Sequence, residues 1–279
     1  MAKPLFTKAG WILLATGCLV AGFARGQGIR AWMTFRADDH AILRWESVPG
    51  GIYHIERSGG FTGAGDLAGW EYDFLGFPPT GAAGSESSID LGERSAVTPV
   101  FYRLHGYEPP AGSLFYESFE GGGAGWTRFT SAGSAWSTAM WDPSCPMTIG
   151  PESPRSGLFA AGTDVFAAYA PDTTARFESP LIDLAGQTGA TLTFWEWREI
   201  EEGFGDLGVL GVFDGAGNLV ENIHLADGVS AGWTEVTVPL PAAAMGLQVR
   251  LRFTFLSDGA NASDMAGWYI DDLCVMPAP

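Results

Sequence analysis

The feature that most constrains this chain is the rhythm of its apolar residues. They come in short runs separated by glycine and proline, and nowhere do they form a stripe at helical spacing. Past Leu114 the apolar runs fall at 114–119, 156–169, 175–183, 190–200, 207–213, 219–225, 233–238, 247–256 and 267–275. Glycine-rich breaks at 121–125, 203–205, 215–217 and 228–232 supply the turns between them. Many short strands joined by tight turns bury their apolar faces as two antiparallel sheets packed together, so this region predicts a β-sandwich of jelly-roll type. One brief helical turn is expected at Pro241–Met245.

The first third has the same texture on a smaller scale, with apolar segments at 29–35, 41–48, 51–58, 70–77, 87–91 and 100–107. Ala41–Val48 runs into Pro49-Gly50-Gly51, and Ile52–Arg57 then alternates as a half-buried hairpin partner does. Trp45, Tyr53 and Tyr102 are the expected core anchors. Trp45, Gly51-Ile52-Tyr53 and Phe101-Tyr102-Arg103 resemble the Trp-bearing strand, the "G-x-Y" strand and the closing "F-Y-R" strand of fibronectin type III-like modules. The resemblance implies a small β-sandwich over 29–107. Two prolines and a Gly-Ser pair in Glu108-Pro109-Pro110-Ala111-Gly112-Ser113 mark a linker at 108–113, with the larger domain at 114–276. The whole chain is expected to be all-β, two sandwiches in series.

Lys3 and Lys8 precede an apolar run from Trp11 to Phe23 that ends in Ala24-Arg25-Gly26. A basic start, a short apolar stretch and small residues behind it form an export leader over 1–26. The run is shorter than the ~20 residues a membrane span needs. Ala15 stands where a lipoprotein leader carries leucine, so release is favoured over lipid attachment at Cys18. Leader removal takes three positive charges and no negative one, and the net charge falls from −17 to −20. No lysine is left. Such a chain repels phosphate backbones and anionic lipid heads, which argues against nucleic acid and lipid headgroups as partners and leaves cations and neutral or protein ligands, and with no second apolar run downstream no membrane insertion is expected after leader removal. The expected location is secreted, periplasmic or cell-surface. Two cysteines remain after processing, Cys145 and Cys274, an even count that permits a disulfide in an exported chain.

Phe115–Glu120, Gly125-Trp126, Ser179–Asp183, Leu192–Trp195, Gly205-Asp206, Trp233 and Gly267–Asp272 follow one another in an order that resembles a known module. It is the MAM-like, concanavalin-type jelly roll of bacterial choice-of-anchor J, cleaved-adhesin and immune-inhibitor-A C-terminal proteins. The opening "E-x-F-E" and closing "G-W-Y-I-D-D" carry most of the likeness. The resemblance implies a binding or adhesion role. The stretch after Trp126 lacks the "D-x-D-G" loop of many relatives, which puts one of that group's calcium sites in doubt. In a jelly roll the first and last strands lie side by side, so Glu117, Glu120, Asp271 and Asp272 are expected to meet at one edge. Strand alternation sends Asp271 and Asp272 to opposite faces. Repelling carboxylates brought together suit a hard cation. A structural calcium held by some of Glu117, Glu120, Asp206 and Asp272 is therefore expected, with backbone hydrogen bonding of the same acids as the alternative.

Most of the tryptophans are expected in the core. Trp136 and Trp141, in a Gly/Ser/Pro-rich stretch, are the candidates for exposure and sugar contact. Glu196-Trp-Arg-Glu-Ile-Glu201 approaches the carboxylate run of sandwich glycoside hydrolases, yet Arg198 stands where an orienting aspartate belongs. His40, His54, His105 and His224 have no zinc spacing, and there is no nucleophile elbow, P-loop or dinucleotide fingerprint. No enzyme is expected. The expectation is an exported binding, adhesion or accessory protein for a polysaccharide or surface protein, with an envelope structural protein without dedicated ligand as the first alternative and a sandwich-fold glycoside hydrolase as the last; the oligomeric state is left open.

Overall fold

Alternation between buried and exposed side chains sets the place of each strand in this chain. The computed structural model describes residues 7–12, 29–58, 71–72, 81–93, 100–141, 149–203, 205–259 and 264–278. The chain divides into two units, Met1–Pro109 and Pro110–Pro279.

The first unit holds β1 (Thr7–Ile12), β2 (Ala31–Phe35), β3 (His40–Glu46), β4 (Ile52–Ser58), β5 (Glu71–Tyr72), β6 (Glu86–Glu93) and β7 (Phe101–Tyr107). One sheet runs β2-β3-β6 and the other β1-β7-β4-β5. Leu43 and Trp45 of β3 meet Tyr53 and Ile55 of β4 and Leu104 of β7 in one buried cluster. Trp45 and Tyr53 are thus the anchors expected, their rings 5.7 Å apart, while Tyr102 packs at the margin. Tyr53 accepts a hydrogen bond from Val48 N and donates one to Glu108. Thr7–Ile12 lies inside the segment read as a leader, and here it pairs antiparallel with β7, from Thr7 opposite Tyr107 to Ile12 opposite Tyr102. Cys18 lies outside the described residues.

The second unit opens with β8 (Phe115–Glu117), β9 (Thr127–Ala132), β10 (Trp136–Met140), β11 (Phe159–Thr163), β12 (Thr174–Glu178) and β13 (Ile182–Asp183). It continues with β14 (Ala190–Glu199), β15 (Leu207–Asp214), β16 (Leu219–Ala226), β17 (Thr234–Pro239), β18 (Gln248–Leu256) and β19 (Gly267–Pro277). The expected helical turn is a single 3-10 turn at Ala242–Ala244. One sheet has the order β10-β11-β19-β14-β17 with β8 also on β19; the other has β16-β15-β18-β12-β9 with β13 also on β18. Together they make the β-sandwich the sequence called for. Rings from both sheets interlock between them: Phe194 and Trp268 approach Phe253 at 5.6 and 5.3 Å, and Trp126 and Trp136 stack on Phe177 at 4.4 and 5.6 Å. Burial of such large rings is the main stabilising contribution to a sandwich of this kind.

Cys274 sits on β19 between Thr193 of β14 and Tyr116 of β8. It is a free, buried thiol, pushed up to about 11 by desolvation. The even cysteine count permits a bridge from this thiol to Cys145. Cys145 itself lies outside the described residues.

Candidate functional site

The first and last strands of the larger unit do pair, with Glu117 opposite Leu273 and Phe115 opposite Val275. This brings four acids toward one place. Glu120, Asp271 and Asp272 are buried, and Glu117 is nearly so. Desolvation raises the pKa of all four: Glu120 and Asp271 well above the ordinary range, Asp272 to about 6. Mutual repulsion adds to the rise at Glu120 and Asp271.

Alternation alone would send Asp271 and Asp272 apart, yet both serve the same loop. Between Trp195–Asp271 and Thr193–Cys274 the register of β19 gains one residue on β14, a β-bulge, and Asp272 takes φ +48° there. Asp271 accepts hydrogen bonds from the backbone N–H groups of Arg155 and Ser156, and Asp272 from the Ser156 hydroxyl. Glu120 accepts from the N–H groups of Leu158 and Phe159. Gly157 between them has φ +61°, and a side chain there would run into the Glu120 carboxylate. The acids thus fasten the 155–159 segment through its backbone.

Glu117 spends both oxygens on Phe119 N and the Trp126 indole. Asp206 does not join the group. It accepts from the Tyr169 hydroxyl and Asp258 N, each at 2.7 Å. Glu199, where β14 ends before the turn that carries Asp206, is four residues from the Trp195–Asp271 pair, ~13 Å along the strand. Asp206 and Glu120 or Asp272 are therefore not ligands of one ion. Among the described residues no three His, Cys, Asp or Glu side chains are placed to hold a metal. Glu120 and Asp272 have the hard-oxygen chemistry for calcium, but backbone or water oxygens would have to complete the shell.

Trp136 and Trp141, expected to face solvent, are 1% and 5% exposed. The stretch around them folds as β9 and β10, with Trp136 stacked on Phe177 and the Trp141 indole donating to Pro151 O. Neither can receive a sugar ring. Trp195 and Trp197 share the outer face of β14, while Leu192, Phe194 and Glu196 point inward. That outer face is covered too. The Arg155 guanidinium lies over Trp195, Trp197 meets Tyr269 edge-on at 5.5 Å, and the Trp233 indole donates to Ser153 O.

Glu196 is buried, and its carboxylate accepts from Arg198, from His224 at 3.0 Å and from the Trp268 indole at 2.9 Å. A general acid or nucleophile needs access to substrate. This one is spent inside the sandwich.

The second sheet of the larger unit turns its other face away from the sandwich core. Along β18 the residues Val249, Leu251, Phe253 and Phe255 point inward, and Arg250, Arg252 and Thr254 outward. Register extends these into rows. Leu219 and Phe213 line up with Arg250; Asn222 and Gly211 with Arg252 and Glu178; Leu225 and Val209 with Thr254, Arg176 and Phe129. Arg252 lies 3.5 Å from the Phe213 ring centroid and its Nε donates to Glu178 at 2.6 Å. Arg176 lies 5.3 Å from the centroid of Phe129, which is 53% exposed. Gly211 keeps the floor flat: a Cβ there would meet the Phe213 ring at 2.8 Å. Sequence reading missed this face, although the period-two arginines of Gln248–Leu256 were its signal.

No protein-family model matches this chain, and no curated protein sequence does. Among solved structures, the chain is similar to the K1 cleaved adhesin domain of Lys-gingipain from Porphyromonas gingivalis W83, at 17% identity and TM-score 0.43, over 59% of this chain and 98% of that one. It is similar to TmCBM61 in complex with β-1,4-galactotriose, at 16% identity and TM-score 0.38, over 58% and 94%. It is also similar to the CBM22-1–CBM22-2 tandem domain of Paenibacillus barcinonensis Xyn10C, at 13% identity and TM-score 0.40, over 97% and 98%.

Proposed function

We propose that this chain is an exported, non-catalytic binding or adhesion protein whose larger sandwich presents a sheet face to a polysaccharide or a surface protein. The observation that carries the reading is the outward face of β16-β15-β18-β12-β9, where Phe129 is 53% exposed with the Arg176 guanidinium over its ring and the Arg252 guanidinium lies over Phe213. Flat aromatic rings flanked by directional donors are what a sugar-binding surface is made of. The engagement of Glu196 by three donors supports a role without catalysis. No helix among the described residues is long and apolar enough to cross a membrane, and the leader reading of 1–26 supports a secreted or surface location. The small sandwich, with its resemblance to fibronectin type III-like modules, serves as a spacer.

Calcium belongs to this reading at Glu120 and Asp272, supported by the crowding of buried carboxylates at the β8–β19 pair. When bound, the ion would neutralise their charge and hold the ends of the sandwich together. A glycan array tests the function: saturable binding that Phe129→Ala weakens is the expected result, and an array blank at every polysaccharide, with no surface-protein ligand, leaves the envelope structural protein as the surviving reading.

A further inference from the structure

We infer that the face formed by Arg176, Arg250, Arg252, Phe129 and Phe213 takes an anionic polysaccharide, one whose sugars carry carboxylates. This rests on the binding-module reading above and names the ligand class of the same site.

The argument is one of charge placement. After Pro110 the chain has six arginines and no lysine. Three of the six stand on this one sheet face, and Glu178 is the one acid in their rows. In a chain of net charge −17 this concentration runs against the average. Arg250 and Arg252 are two residues apart on one strand, ~7 Å, and Arg176 is the diagonal neighbour of Arg252 on the next, ~7–8 Å away. Arg252 gives Nε to Glu178 and Arg250 gives one nitrogen to Ser179 O, which leaves further N–H groups on each fork. Arg176 has no ion pair among those described. Planar forks of this kind pair with carboxylates through two parallel hydrogen bonds, and Phe129, 53% exposed under the Arg176 guanidinium, adds apolar surface.

The overall negative charge does not prevent this. At physiological salt the Debye length is ~8 Å, while the five strands span ~19 Å, so an anion on the face responds to the arginines beneath it and little to distant acids.

The test is affinity electrophoresis of the full mature chain at 0.15 M salt in gels containing polygalacturonate, neutral galactan or neutral xylan, with single-stranded DNA as a second polyanion in solution. The expected result is retardation by polygalacturonate at least tenfold stronger than by either neutral polymer, lost in Arg176→Glu and reduced in Arg176→Gln and Phe129→Ala. Melting curves of the three variants identify any that fail to fold, and Arg176→Gln keeps the test valid if the charge reversal does. Binding of neutral polymers alone overturns the anionic assignment and leaves the binding-module reading standing. Retardation by no polymer overturns the anionic assignment, and the glycan array and a surface-protein ligand then decide the binding-module reading. DNA binding of equal strength, lost in the same variants, shows unselective charge attraction and also overturns the assignment.

Discussion

The guanidinium of Arg155 lies on the indole of Trp195, 3.9 Å from the ring centroid. The contact is one of several by which the 151–158 segment is held across the outer face of β14 and β19. Trp141 and Trp233 donate to its carbonyls at Pro151 and Ser153, and Asp271 and Asp272 receive donors from Arg155 and Ser156. The tryptophans of this face therefore act as fastenings. A guanidinium over a partly desolvated indole contributes about 0.5–2 kcal/mol. Arg155→Ala is expected to lower the melting temperature of the larger unit by about 2–5 °C and shift tryptophan emission to the red. Trp195→Ala is expected to leave polysaccharide binding unchanged. Loss of binding in Trp195→Ala with an unchanged melting curve would move the ligand site to this face.

The acids beneath the same segment set how the protein responds to pH. Burial lifts Asp272 to about 6 and lifts Glu117, Glu120 and Asp271 as well. In the unfolded chain these carboxyls titrate near 4. Between about 4 and 6 the folded state therefore holds more protons than the unfolded one, and stability falls as pH rises through that window. In the presence of a chelator, the larger unit is expected to melt several degrees higher at pH 5 than at pH 7. The shift at Asp272 sets a ceiling of about 3 kcal/mol on its own share. Asp272→Asn should flatten the profile. Calcium held by Glu120 and Asp272 favours the ionised forms, so added calcium is expected to raise the pH 7 melting temperature toward the pH 5 value. A flat profile that calcium does not alter would remove both the ion and the strain assigned to these acids.

The strands that turned out easiest to foresee are those whose alternation is clean. In β14, Leu192, Phe194 and Glu196 face one way and Trp195 and Trp197 the other, as period two requires. The pairing of β8 with β19 followed from jelly-roll connectivity. Local composition misled at Trp136 and Trp141, where glycine, serine and proline suggested an open loop and tertiary pairing made β9 and β10 instead. The meeting of Asp271 with Asp272 depends on a bulge and a positive φ at Asp272, which no spacing rule contains. The open face was half visible. The Arg250–Arg252 alternation stands in the sequence, but that Arg176 and Phe129 join it depends on the register between strands far apart along the chain.

Glu196 separates a structural carboxylate from a catalytic one. It receives the Arg198 guanidinium, His224 and the Trp268 indole inside the sandwich, and it is 2% exposed. Removing one partner of such a group strands the others without a counter-charge or acceptor, at about 3–5 kcal/mol. Glu196→Ala is expected to cost about that much in urea unfolding of the larger unit, and Glu196→Gln, which keeps one acceptor oxygen, less. Polysaccharide binding at the far sheet should persist in whichever variant folds. A hydrolase would behave otherwise: Glu196→Gln would abolish turnover of a glycan that the wild type cleaves, with its unfolding curve barely moved. Because the carboxylate already serves three donors and faces the core, the stability loss is the outcome its geometry requires.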